Sequence, residues 1–328
     1  MHATARLHSA STRACASMAV RSPTGIAAMS DRKPAQSAAD FHPQVLRLFD
    51  QYVHGLIDRR GFLAGAGRYA AGAAGAVGLL AALSPQFAAA QVVAADDSRL
   101  DAAHQTFDSP AGYGKARGYL VRPKAAQDAL PLVLVIHENR GLNPHIEDVA
   151  RRLALAGYLV FAPDALFPLG GYPGDEDQAR TLFGTLDQVK VRADFLAAVG
   201  FLEAQPGGNG KLGVTGFCYG GGISNWLATQ LPQLKAAAPF YGAGAPLDQV
   251  HKIKAELLIA LAEHDERVNA GWPDYEAALK DAGVTYTAHI YPGAQHGFNN
   301  NTTPRYDEKS AQLAWSRMLE LFERTLRG

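Results

Sequence analysis

The feature that most constrains the fold is a pentapeptide, Gly216-Phe217-Cys218-Tyr219-Gly220. It follows an apolar run at 211–217 and opens a helical pattern at 220–229. A nucleophilic side chain between two glycines, entered from a strand and left by a helix, requires a sharp turn at the end of a sheet. The chain around it has the matching rhythm. Strand-like runs at 115–121, 130–137, 158–162, 211–217, 236–241, 256–262 and 285–291 alternate with helical patterns at 146–156, 175–204, 220–229, 273–282 and 306–326. The run at 130–137 is almost wholly apolar, as expected of a strand buried on both faces. This predicts an α/β fold with a mostly parallel central sheet and helices on both faces. It is one domain over 91–328.

The reactive residue types fall where strands end. Cys218 sits at a helix N-terminus, where the dipole favours a thiolate. The N–H of Tyr219 is placed to donate to an oxyanion. Asp265 closes the run at 256–262 and can orient an imidazole, with Glu263 and Glu266 as rival carboxylates. A helix-capping Asp is the plain alternative for Asp265. His296 lies among small residues after the run at 285–291, a setting suited to a general base. The order Cys218, Asp265, His296 is the nucleophile–acid–histidine order of the α/β-hydrolase fold. Glu138 and Asn139 follow the run at 130–137, and the Asn139 N–H is a second oxyanion donor by position.

These pieces together resemble the dienelactone hydrolase (carboxymethylenebutenolidase) family over about residues 100–328. The resemblance rests on His137-Glu138-Asn139-Arg140-Gly141-Leu142-Asn143, Ala162-Pro163-Asp164, Gly216-Phe217-Cys218-Tyr219-Gly220-Gly221-Gly222, His264-Asp265 and His296-Gly297-Phe298. It implies that Cys218 is the nucleophile, His296 the base, Asp265 its orienter and Glu138 the partner of the resting thiol. The implied activity is hydrolysis of small esters or lactones through an acyl-enzyme thioester, with no cofactor. The chain departs from the pattern at one point. The family holds a substrate carboxylate with two arginines, one of them a few residues after the histidine. Here no Arg follows His296 before Arg305. Arg140, Arg180 and Phe298 are the candidate substrate contacts.

Net charge is zero over 328 residues, but it is unevenly divided. Residues 1–90 carry a net +5 and residues 91–328 a net −5. Residues 1–40, rich in Ala, Ser and Arg, are expected to be disordered, and 41–57 to form a short amphipathic helix. Arg59-Arg60-Gly61-Phe62-Leu63 precedes an Ala/Gly-rich run at 69–83, then Ser84-Pro85 and Phe87-Ala88-Ala89-Ala90. This resembles a twin-arginine signal peptide, with the translocon as a transient partner, cleavage near Ala90 and a periplasmic destination. Anchoring by 69–83 is the alternative, although that run is short for a membrane span. Cleavage would remove Cys15 and leave Cys218 as the single cysteine.

The acidic catalytic half argues against nucleic-acid binding. No Cys/His spacing indicates a metal site, and no loop cradles a phosphate. The domain reads as a monomer. The rival functions are a carboxylesterase or thioesterase on uncharged substrates, and a non-catalytic binding protein on a hydrolase fold.

Overall fold

The computed structural model describes residues 36–70, 72–126 and 128–328. Within these, four helices precede the sheet: α1 (Pro43–Val53), α2 (Arg59–Ala66), α3 (Gly72–Leu83) and α4 (Phe87–Ala90). The α/β part then runs β1 (Leu100–Ser109), β2 (Gly114–Pro123), β3 (Leu130–Ile136), α5 (Pro144–Leu155), β4 (Leu159–Pro163), α6 (Glu176–Phe183), α7 (Gln188–Glu203), β5 (Gly208–Phe217) and α8 (Tyr219–Gln230). It closes with β6 (Ala236–Phe240), β7 (Glu256–His264), α9 (Glu266–Asn269), α10 (Trp272–Asp281), β8 (Tyr286–Gln295) and α11 (Glu308–Phe322).

One eight-stranded sheet has the order β1-β2-β4-β3-β5-β6-β7-β8. Strands β4 to β8 pair in parallel, while β2 pairs antiparallel with both β1 and β4. Every residue of β3 and β6 is buried, in keeping with helices on both faces. Two apolar cores lie on the two faces, one around Leu134, Phe195 and Leu227, the other around Val135, Phe240 and Phe322. From β3 the chain crosses to β4 on one side and then to β5 on the other. That reversal opens a crevice at the carboxyl ends of β3 and β5, where ligands of such sheets bind.

Two elements differ from the expectation. β1 carries a polar sequence, LDAAHQTFDS, with mostly exposed side chains at a sheet edge, so no apolar periodicity marks it. The helical pattern at 175–204 divides into α6 and α7. Asp175 accepts from the Gln178 N–H at 2.7 Å, and Asp187 accepts from the Val189 N–H at 2.9 Å, so each half has its own cap.

The N-terminal helices form a small core of their own. Phe62 is fully buried, with ring centroids 6.1 Å from Phe49 and 5.6 Å from Tyr52. α3 adds Ala76, Leu80 and Leu83 to it. Residues 1–35 of the stretch expected to be disordered, with Cys15, lie outside the described residues. Ala38–Asp40 forms a 3-10 turn rather than a disordered strand of chain, because the Asp40 carboxylate closes back on the Ser37 N–H at 2.7 Å. Gly72–Ala90 is apolar and long enough to cross a membrane, with mean hydropathy 1.5. The two arginines open α2, and Arg59 pairs with Asp177 of α6 at 3.0 Å.

Candidate active site

Because β3, β5, β7 and β8 run parallel, their carboxyl ends lie along one edge of the sheet. That edge gathers Glu138, Cys218, Asp265 and His296. Cys218 occupies the turn between β5 and α8 with φ 56° and ψ −112°. Positive φ in a residue with a Cβ costs roughly 1–3 kcal/mol, and the surrounding chain must hold it. The neighbouring glycines permit the turn. A Cβ on Gly216 would lie 2.2 Å from Gly220 O, and one on Gly220 would lie 2.2 Å from Ile136 O. The Cys218 N–H donates to Phe240 O at 3.1 Å. Tyr219, the first residue of α8, has no partner for its N–H within the helix.

His296 Nδ1 lies 2.5 Å from Asp265 Oδ2, both side chains being almost fully buried. The other oxygen of Asp265 accepts from the Val268 N–H at 3.2 Å and caps α9. The two sequence readings of Asp265 are therefore both satisfied, one by each oxygen. The rival carboxylates are placed elsewhere. Glu263 accepts from the Gly293 N–H at 2.7 Å, and Glu266 is an exposed partner of Arg47.

The contact that sequence reasoning missed comes from the segment read as a leader. His54, at the C-terminus of α1, places Nε2 3.4 Å from Cys218 Sγ and 3.2 Å from His296 Nε2. Its Nδ1 faces Asp50 O at 2.7 Å and Asp50 Oδ1 at 3.2 Å. An HxxxC-like spacing could not have revealed it, since 164 residues separate His54 from Cys218. Glu138 faces the same cavity, but its carboxyl accepts from Asn300 Nδ2 at 3.2 Å. The sulfur is within hydrogen-bond reach of His54, and Glu138 lies near it with its own bond to Asn300.

The electrostatics follow from this crowding. Burial pushes the Cys218 thiol up, but the charges and hydrogen bonds of His296 and His54 outweigh it and hold the thiol well below its usual value. Burial opposes charge on His296, yet the thiolate and Asp265 lift it to about 10. His54 is likewise lifted against its burial by Cys218 and Asp50. Burial and the nearby sulfur push the Glu138 carboxyl up, toward its neutral form.

A cavity of about 290 Å³ adjoins the sulfur. Tyr52, His54 and Leu80 of the N-terminal segment and Glu138, Arg140 and Arg305 of the α/β part are among the residues that line it. The glycine-rich loop contributes Tyr172 and Gly174. Arg140 is paired with Glu176 at 2.8 Å. Arg305 is largely buried, its Nη1 is 3.6 Å from Asp50, and its Nε and Nη1 have no hydrogen-bond partner. Two expected substrate contacts are corrected. Phe298 is fully buried in the core against Tyr241 and Tyr291, since the turn after His296 points it inward. Arg180 stacks over Tyr52, donates to Tyr52 O and pairs with Asp177, so it fastens α1 rather than lining the cavity.

His54, Cys218 and His296 bring one donor atom each within 4.8 Å, close enough to hold a metal ion. Arg267 places a guanidinium 2.9 Å from His54 Nε2.

The profile of the dienelactone hydrolase family matches residues 116–326. A separate profile, described as YqhI-like, matches residues 33–72, which include Asp50 and His54. A Salmonella typhi protein named "Putative carboxymethylenebutenolidase" is 35% identical over 218 residues, covering 62% of this chain and 81% of its own. The crystal structure titled "Putative Dienelactone Hydrolase" from Klebsiella pneumoniae is 33% identical with a TM-score of 0.59, covering 68% of this chain and 99% of its own. A dienelactone hydrolase structure from Anabaena variabilis, 21% identical with a TM-score of 0.53, covers 69% of this chain and 99% of its own and shares the fold.

Proposed function

This chain belongs to the dienelactone hydrolase family, and from that premise we propose that it hydrolyses small esters or lactones with Cys218 as nucleophile, His296 as base and Asp265 as its orienter. The observation that carries the reading is the aligned set Cys218, His296 and Asp265 at adjoining strand ends, with the sulfur open to a cavity. The sulfur attacks the carbonyl carbon, and the carbonyl electrons move to oxygen. The N–H groups of Tyr219 and Asn139 receive that oxyanion. Collapse breaks the C–O bond, the departing oxygen takes the proton that the thiol gave up to the site's imidazoles, and an acyl thioester is left on Cys218. Water then gives a proton to His296 as it attacks the thioester, and the sulfur departs as the acid product forms.

The substrate class follows from Arg305. Arg305 lines the cavity as a largely buried guanidinium whose ion pair with Asp50 is long at 3.6 Å, and such a group is suited to a carboxylate. It takes the place of the arginine that the sequence lacks directly after His296. The preferred substrate is therefore a small ester or lactone bearing a carboxylate. A panel of paired substrates, each with and without that carboxylate, tests this. A higher kcat/KM for the acid members supports it, and a uniform preference for the neutral members overturns it.

A further inference from the structure

We propose that His54, carried by the N-terminal segment, is a second catalytic imidazole, and that with Asp50 behind it this residue keeps the proton of Cys218 in the resting enzyme. The inference rests on the reading of Cys218 as nucleophile and adds a residue outside the family's matched region, since the family profile begins at residue 116.

The proton inventory leads to it. His54 Nδ1 faces the oxygens of Asp50, and His296 Nδ1 faces Asp265 Oδ2, so in each ring Nδ1 carries the N–H. Both Nε2 atoms then point to the same place, 3.2 Å apart. Two bare lone pairs at that separation repel, whereas one added proton joins them. The Cys218 thiol, 3.4 Å from His54 Nε2, supplies that proton. Transfer leaves a thiolate beside an imidazolium.

The backbone favours the same charge separation. His54 ends the eleven-residue helix α1, whose C-terminus stabilises a cation, and Cys218 opens the twelve-residue helix α8, whose N-terminus stabilises an anion. The charged and titratable groups facing the pair come from several elements. Asp50 and Glu138 lie near the imidazole and the thiol respectively, and His296, Arg267 and Arg305 surround them. Arg267 has a second use. Its guanidinium donates at 2.9 Å to His54 Nε2 once that nitrogen is bare. Both protonation states of His54 are thus hydrogen-bonded, as a residue that gives and regains a proton requires.

In turnover the thiolate sulfur bonds to the carbonyl carbon, and the ester or lactone C–O bond breaks. His54 returns the stored proton to the departing oxygen. Acylation removes the thiolate that lifts His296, and once the shared proton has left with the departing oxygen the Nε2 of His296 is bare to take a proton from the hydrolytic water. The arrangement divides acid and base between two histidines and needs residues 43–54 in the working enzyme.

The test reads the thiolate directly and needs no substrate. Full-length protein, with a chelator present, is titrated by absorbance near 240 nm and by the rate of inactivation with iodoacetamide. We expect His54→Gln to raise the pH midpoint of both signals by at least about one unit, a tenfold loss of thiolate at a given pH below it. Asp50→Asn should shift it in the same direction by less. A His54→Gln protein that unfolds at the wild-type temperature with an unmoved midpoint overturns the proposal. If His54→Gln does not fold, Asp50→Asn decides in the same way. A His54-dependent thiolate in a protein without hydrolase activity would instead refute the proposed function alone.

Discussion

His54 Nε2 and Cys218 Sγ stand 3.4 Å apart although 164 residues separate them along the chain. The contact joins an N-terminal helical cap to the sharp turn of a family domain that is otherwise self-contained. The cap has its own apolar core around Phe62, and its attachments to the domain include the hydrogen bonds Asn139 Nδ2 to Val53 O at 3.0 Å, Gln86 N–H to Thr302 O at 2.7 Å and Asn301 Nδ2 to Ala90 O at 2.7 Å, and the ring contact of Phe87 with Tyr172.

Replacing Cys218 with Ala should lower turnover of p-nitrophenyl acetate by roughly 10⁴-fold or more, the scale of losing a covalent nucleophile. The variant should fold, because Ala occupies less space than Cys and α8 keeps its flanking glycines. Circular dichroism checks the fold and a steady-state assay the rate. Residual turnover within tenfold of wild type would remove Cys218 from the chemistry.

Arg305→Gln should raise KM for carboxylate-bearing substrates by about 10- to 100-fold, since a hydrogen bond to a charged group is worth about 1.5–3 kcal/mol. Neutral esters should change little. Equal losses for both classes would mean that Arg305 shapes the cavity through Asp50 and Phe49 rather than through the substrate.

The charges at the site make stability depend on pH in a stated direction. His296 is lifted from an ordinary 6.5 to about 10. A raised histidine binds its proton more tightly when folded, so its contribution is complete below about 6.5 and fades as pH climbs toward 10. Asp265, held below its usual 3.8 by His296 despite burial, contributes above that value and loses its effect as pH falls further. The lowered Cys218 thiol has the opposite sign up to its ordinary 9.0 and offsets that loss, so the thermal unfolding midpoint should decline above about pH 9, and less steeply in His296→Asn. Parallel curves for the two proteins would contradict the assignment.

The retained cap and the twin-arginine reading make opposite statements about the mature protein. Cleavage near Ala90 would take away Asp50, His54 and the cavity-lining residues Tyr52, Leu80 and Phe87. If the cap is part of the enzyme, the intact mass of protein purified from its native cell will include residues 43–93. A mature N-terminus close to residue 91 would establish export with cleavage and leave the cavity open on that side.

Much of the site was legible because chemistry and topology coincide in the sequence. Cys218, Asp265 and His296 each follow an apolar run, and a parallel sheet must bring such ends to one edge. β1 was not legible, since a polar edge strand buries too little to impose alternation. Phe298 was misread because a turn decides which way a side chain points, and its neighbours in sequence do not record the turn. His54 was hidden for a different reason. Its helix is amphipathic and was expected, but the arginines after it read as an address. Nothing local in the sequence tells that α1 ends against the sulfur.

The position of α1 has a consequence for how the enzyme comes into being. His54 leaves the ribosome early, whereas His296, which it meets at 3.2 Å, is made 242 residues later. Arg267 and Arg305, which also approach α1, are late as well. The cap can fold on its own apolar core but has no site to cover until synthesis is nearly finished. Such a long-range closure is slow relative to local folding. The nascent chain therefore carries Cys218 before Arg267, His296 and Arg305 exist, and the full set of groups around the sulfur can assemble only after residue 305 is made.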